Sequence, residues 1–215
     1  MKSFEIKELN ATDEQFPVAV SRLAAVLEKG KLSSRDIDQV LLLSNKLIIA
    51  DFLREYQYFD DKNMVRIKAY ILLNLDNEDR MFVSDLIEFA DLHELELPYA
   101  KCIEYLDQFT DENVFVQLAA IDYISFNIKM NHIDQIKAAM DRILGNRECA
   151  RPVQIKAAFF LFRITHKKKY LSDLLDLVVT GTEGNKKLLK NILICKGNER
   201  KFFDYNSVIG SILRK

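Results

Sequence analysis

A chain of 215 residues, 49% hydrophobic and 29% charged, suits one continuous folded unit or two small domains and excludes disorder of the whole chain. Six glycines and three prolines leave little material for tight turns, so long helices are expected. The net charge of −1 hides an asymmetry: residues 51–150 carry 10 basic and 20 acidic groups, and residues 151–215 carry 14 and five, giving an acidic middle and a basic end.

Residues 1–11 lack periodicity and are expected to form an arm ahead of a single all-helical domain over 12–215. Thr12 with Gln15 resembles a capping box, and Phe16, Val20, Leu23 and Leu27 recur at helical spacing until Gly30. Ser33 with Asp36 repeats the capping signature before one long helix, or two in succession, over 36–58. Asp60 and Asp61 put acidic charge at the start of a helix over 62–75. Helices over 80–92 and, from Pro98, 98–108 follow. Thr110 is the expected cap of a helix over 111–128. Further helices are expected over 132–144, 150–165, 168–179 and 186–195, with Gly181-Thr182-Glu183-Gly184 as a loop and a last short helix over 206–213.

One pattern occurs three times. Asp61-Lys62-Asn63 leads into Val65-Arg66-Ile67-Lys68-Ala69. Asp111-Glu112-Asn113 leads into Val116-Gln117-Leu118-Ala119-Ala120. Arg151-Pro152 leads into Val153-Gln154-Ile155-Lys156-Ala157. Val and Ala four apart share a helix face, and the small Ala lets a neighbouring helix approach closely. Helix pairs ending in this pattern fall at about 36–75, 98–127 and 132–165, and stacked pairs would share one core.

These units resemble HEAT or armadillo-type alpha-solenoid repeats, which often carry Asp, then Val-Arg, then Ala in their second helix. Val65-Arg66 with Ala69 matches best, while the other two copies have Gln in place of Arg. The resemblance covers about residues 36–180 and implies a short alpha-solenoid that binds macromolecules. The competing architecture is a compact irregular helical domain with ordinary core spacing.

No catalytic or metal-binding constellation rises from the sequence. His93, His132 and His166 are far apart and lack a second ligand at helical spacing. Cys102, Cys149 and Cys195 share no redox or metal spacing, which points to buried thiols in a reducing cytoplasm, with Cys149 placed where a helix start would lower its pKa. No dinucleotide or phosphate-loop fingerprint is present, so no cofactor is expected. No apolar run reaches membrane-spanning length, and residues 1–7 lack an apolar signal core.

The expected function is therefore non-enzymatic capture of another protein, as an adaptor or a stoichiometric inhibitor such as a toxin-neutralising immunity protein, whose acidic surface would mask a basic toxin. Asp122, Tyr123, Phe126, Gln154, Lys156 and Arg163 are the expected protein-binding residues, with Phe160 beside them. The alternative is nucleic-acid binding through Lys167, Lys168, Lys169, Lys186, Lys187 and Lys190. Some HEAT-like proteins are DNA alkylation repair glycosylases of similar size. That family uses Trp beside a catalytic Asp, and this chain has no Trp. A third class is a structural subunit whose terminal helices complete an oligomer.

Overall fold

The structure is a computed structural model that describes residues 16–28 and 30–194. The arm at 1–11, the Thr12–Gln15 cap, Cys195 and the helix expected over 206–213 lie outside the described residues. Among the described residues the regular structure is all helical. The chain divides into two compact units, Met1–Pro98 and Tyr99–Lys215.

The first unit contains α1 (Phe16–Leu27), α2 (Ser34–Leu41), α3 (Lys46–Glu55), α4 (Asp61–Asn74) and α5 (Arg80–Leu92). Gly30 takes a positive φ of 78° just after α1, a conformation that favours glycine. The Ser33 capping box is formed: its hydroxyl accepts from the Asp36 N–H at 3.2 Å, and the Asp36 carboxylate accepts from the Ser33 N–H at 3.1 Å. The 36–58 stretch is two helices because Asn45 starts a new one, its side chain accepting from the backbone N–H of Leu47 and Ile48. Asp60 caps α4 through the Asn63 N–H at 2.9 Å, and that bond is the largest influence lowering its pKa. Helices two apart in the chain pack together, α1 on α3, α3 on α5 and α2 on α4. Ile37, Ile48, Phe52, Ile67, Ile71, Phe82 and Leu86 fill the core between them.

The second unit contains α6 (Tyr99–Leu106), α7 (Val114–Phe126), α8 (Ile133–Gly145), α9 (Arg151–Thr165), α10 (Lys168–Val179) and α11 (Glu183–Ile194). Single 3-10 turns over Asp111–Asn113 and Met130–His132 lead into α7 and α8. Thr110 precedes the first turn without a side-chain cap bond to the backbone; its hydroxyl instead accepts from the Asn113 side-chain amide at 2.6 Å. The Gly181–Gly184 stretch is only partly a loop, since α11 begins at Glu183. Gly181 is needed there: a Cβ would stand 2.8 Å from the Leu177 carbonyl oxygen and 2.2 Å from the Asn185 amide. Consecutive helices pair as α6–α7, α8–α9 and α9–α10, while α6 packs on α8, and α7 and α11 both pack on α9.

The three copies of the Val-x-x-x-Ala string are not equivalent. Val116 and Val153 are each the third residue of their helix, and both they and Ala120 and Ala157 are buried. Val65 is the fifth residue of α4 and is 70% exposed, with Ala69 exposed beside it. A two-residue offset turns a helix by about 200°, so the same string faces the opposite way. Counted from each helix start, the matching third, seventh and eleventh positions are Asn63, Ile67 and Ile71 in α4, against Val116, Ala120 and Ile124, and Val153, Ala157 and Leu161. All nine are buried.

The fourth residue of α7 and of α9 has a second task. Gln117 donates its side-chain amide to the Leu106 carbonyl at the end of α6, at 3.3 Å. Gln154 donates to the Asn146 carbonyl, just past the end of α8, at 2.9 Å. Arg151 does the same for α10, donating to the Thr180 carbonyl at 2.8 Å. Helix ends leave carbonyls without intrahelical partners, and here the neighbouring helix supplies the donors. In α4 the residue after Val is Arg66, which pairs instead with the carboxylate of Asp38 on α2.

Candidate functional site

The outer side of α7 and α9 carries the surface that best fits a binding role. Phe115, Leu118, Asp122 and Phe126 recur at one-turn and two-turn spacing, so they share one face of α7. Phe115 is 52% exposed and Phe126 39%, which is unusual for large aromatic side chains on a helix. Their helix is apolar all round because its other side packs on α6 and α9.

Asp122 and Lys156 form an ion pair across α7 and α9. Lys156 also donates to the Leu118 carbonyl at 3.5 Å, and its side chain is only 12% exposed. With the cation mostly withdrawn from water and bonded twice, Lys156 holds the two helices together. Asp122 remains 45% exposed, so its carboxylate still has a side open to solvent.

Arg163 lies on α9 two helical turns beyond Lys156. It is half-buried, and desolvation lowers its pKa, with no acidic partner among the described residues. A guanidinium that has lost water without gaining a carboxylate is short of hydrogen-bond acceptors. It can donate two parallel N–H bonds to a carboxylate brought by a partner.

The other expected binding residues fall elsewhere. Tyr123 is 2% exposed and Phe160 1%, so both are core residues and offer no surface. Their position explains it: each is the tenth residue of its helix, adjacent to the buried eleventh. Gln154 is half-buried and committed to the Asn146 carbonyl.

Four of the six lysines line recesses, Lys169 one and Lys186, Lys187 and Lys190 another. Lys167 is the residue before α10, and Lys168 and Lys169 open that helix, all three exposed. The Lys169 ammonium sits 5.4 Å from the Tyr170 ring centre. Lys169 lines a cleft of about 540 Å³ between α8 and α10 that sequence reasoning missed. Asp141, Asp173 and Asp176 also line it, above Leu144 and Leu177. The Tyr170 hydroxyl donates to the Asp141 carboxylate at 2.9 Å and ties the cleft walls together. Asp173 and Asp176 are three apart on α10, a spacing that puts them on one helix face, but Asp141 comes from another helix and carries no such signal. Lys186, Lys187 and Lys190 are exposed on α11 and line a different recess of about 570 Å³. Lys186 is 3.3 Å from Glu183.

The remaining chemistry-bearing side chains are absorbed by the fold. Cys102 and Cys149 are buried free thiols. Burial pushes the Cys102 pKa up to about 12 and that of Cys149 up to about 11. The lowered pKa expected for Cys149 is therefore reversed, because desolvation outweighs its place near a helix start. His93 ends α5 against the Phe89 ring, 4.2 Å between centres, and burial lowers its pKa. His132 stacks on Tyr99 at 5.3 Å. His166 ends α9 with a left-handed backbone, φ 55°. Among the described residues no three His, Cys, Asp or Glu side chains are grouped as metal ligands would be. No helix among them is long and apolar enough to cross a membrane. The chain matches no family model, no curated protein and no solved structure.

Proposed function

We propose that the chain is a HEAT- or armadillo-like repeat module that captures another protein on the α7–α9 face, without catalysis. The observation that carries this reading is the strip formed by Phe115, Asp122 and Phe126 on α7, tied to α9 through Lys156, with the desolvated Arg163 two turns further along α9. Large aromatic side chains and arginine are among the residue types that dominate binding energy at protein interfaces. The alternation of helix contacts within each unit supports the repeat part, since stacked hairpins bring helices two apart into contact. The role is an adaptor or a stoichiometric inhibitor, with a toxin-neutralising immunity protein as one form. The carboxylates of the α8–α10 cleft supply negative surface for that form. A cytoplasmic location belongs to the same proposal and is supported by the two free thiols.

The test is capture of a partner from native extract with the intact chain and with a Phe126→Ala, Arg163→Ala variant, followed by reconstitution from purified components. A one-to-one complex that weakens by about 100-fold in the variant supports the α7–α9 face. Equal binding by both proteins assigns the contact to another surface and ends the proposal.

The recess beside Lys186, Lys187 and Lys190 favours a second reading, electrostatic binding of nucleic acid. Its signature is salt-dependent binding to a short duplex that disappears when these three lysines become Glu. No binding at low salt removes it.

A further inference from the structure

Helix α4 is apolar on two opposite sides, and the described residues cover only one. Ile67 and Ile71 are fully buried against α2 and α5. On the far side Val65 is 70% exposed, Leu73 84% and Leu72 40%, with Ala69 exposed among them. At about 100° per residue these four fall within roughly a third of the helix circumference, so they form one continuous stripe. A helix with apolar residues on both sides normally has neighbours on both.

The charges bordering the stripe are arranged symmetrically about Ala69. Lys62 stands seven residues before it and Asp76 seven after; Val65 stands four before and Leu73 four after. Leu75 keeps helical backbone angles, φ −61° and ψ −27°, so Asp76 continues the same spiral past the end of α4. Lys62 and Asp76 are both exposed.

We infer that the outward face of α4 pairs antiparallel with the same face of a second copy of this chain, crossing at Ala69. A twofold axis through Ala69 sets Lys62 of one copy opposite Asp76 of the other, twice, and Val65 opposite Leu73, twice. The small Ala at the crossing lets the helix axes come within about 8–10 Å. An isologous contact needs a patch complementary to itself, with residue i meeting j and j meeting i. The Lys62–Asp76 arrangement has that property. A generic apolar partner would not require it.

A contact confined to one four-turn helix per copy lies at the small end of specific interfaces, so association is expected with a Kd on the order of 10 µM. Sedimentation equilibrium on the full chain from about 1 to 500 µM should show the mass rising to that of a dimer. Leu73→Lys should weaken association by at least about tenfold. Lys62→Asp and Asp76→Lys should each weaken it, and the double variant should recover to within about threefold of the original. At about 1 µM, well below the Kd, helical circular dichroism should stay unchanged in all of these and the melting temperature should shift by no more than a few degrees, since every substituted side chain is exposed. A monomer throughout the range overturns the inference, whether residues 1–15 or an unrelated protein then covers the stripe. A dimer indifferent to Leu73→Lys also overturns it, as does a double charge swap no stronger than the singles. Failure of the α7–α9 proposal would leave these results untouched, because capture there and self-association here are read by different variants.

Discussion

Helices α4 and α9 contain the same five-residue logic, Val, long polar, Ile, Lys, Ala, and bury different shares of it: α9 buries the Val, Ile and Ala, and α4 only the Ile. In α9 the Val and Ala are core residues; in α4 they face solvent and the Ile between them is core. Ile155 is buried as well, because α9 has helices on more than one side: it joins Phe159, Leu174, Val178 and Leu189 in the cluster where α9, α10 and α11 meet. The difference is set by where each helix begins. Asp60 fixes the first turn of α4, and Pro152 sits in the first turn of α9. A string of side chains has no inward face until a cap assigns it one.

The strongest way to break this comparison is to shorten one side chain in each helix. Ile155→Ala should cost about 2–5 kcal/mol in urea unfolding, because it leaves a cavity among fully buried neighbours. Val65→Ala should change stability by less than about 0.5 kcal/mol, as an exposed substitution. Equal costs would mean that α4 is covered on its outer side even in the monomer.

The residue after the Val gives a second contrast. Gln117→Ala should cost about 1–3 kcal/mol by leaving the buried Leu106 carbonyl without its donor. Arg66→Gln should cost no more than about 1 kcal/mol, since the Arg66–Asp38 pair is partly exposed. Matching unfolding midpoints for the two variants would show that the helix-end bond contributes little.

Asn63 sharpens the register itself. It occupies the third position of α4, where α7 and α9 carry Val, and its side-chain oxygen is buried without a hydrogen-bond partner in the structure. Asn63→Val should stabilise the protein by about 1 kcal/mol, because it removes an unsatisfied acceptor and restores the residue type of the other two helices. A loss of stability would mean the three helices are aligned wrongly.

The smallest expected effect concerns the thiols. Both cysteine pKa values are raised from 9.0, so the folded chain holds its thiol protons more tightly than the unfolded chain does. Their contribution to stability is therefore intact below about pH 9 and declines as pH rises from about 9 towards 12. In a Cys195→Ser chain, a thiol reagent at pH 8 should react only as fast as the protein opens. Rapid labelling of the folded chain would contradict the burial of Cys102 and Cys149.

The sequence was a good guide to helices and a poor one to faces. Helices over 62–75, 80–92, 98–108, 132–144, 150–165 and 168–179 were readable from apolar spacing and end signals, and each lies within a few residues of its expected bounds. Asp122 stood out as a carboxylate in an apolar helix, with a simple exposed position favoured over lining a surface or pairing with a base; the structure pairs it with Lys156. Its partner Lys156 is 34 residues away, and no local rule connects them. Tyr123 and Phe126 looked alike as aromatic residues of one helix, yet three residues of rotation put one in the core and the other in solvent. Phe115 drew no reading from the sequence, because its exposure depends on the phase set by the turn over Asp111–Asn113. The α8–α10 cleft was invisible for the same reason as the Lys156 pairing: its walls come from separate helices.

The amides of Gln117 and Gln154 also bear on the order in which the second unit assembles. The Leu106 carbonyl at the end of α6 and the Asn146 carbonyl just past α8 receive these donors from helices made later in the chain. Until α7 docks, the end of α6 must open to water; until α9 docks, the same holds for α8. Each hairpin should then behave as one step in folding, with neither helix fully protected alone. Amide hydrogen exchange would report this as matched protection of α6 with α7 and of α8 with α9, and removing either glutamine would release the earlier helix of its pair first.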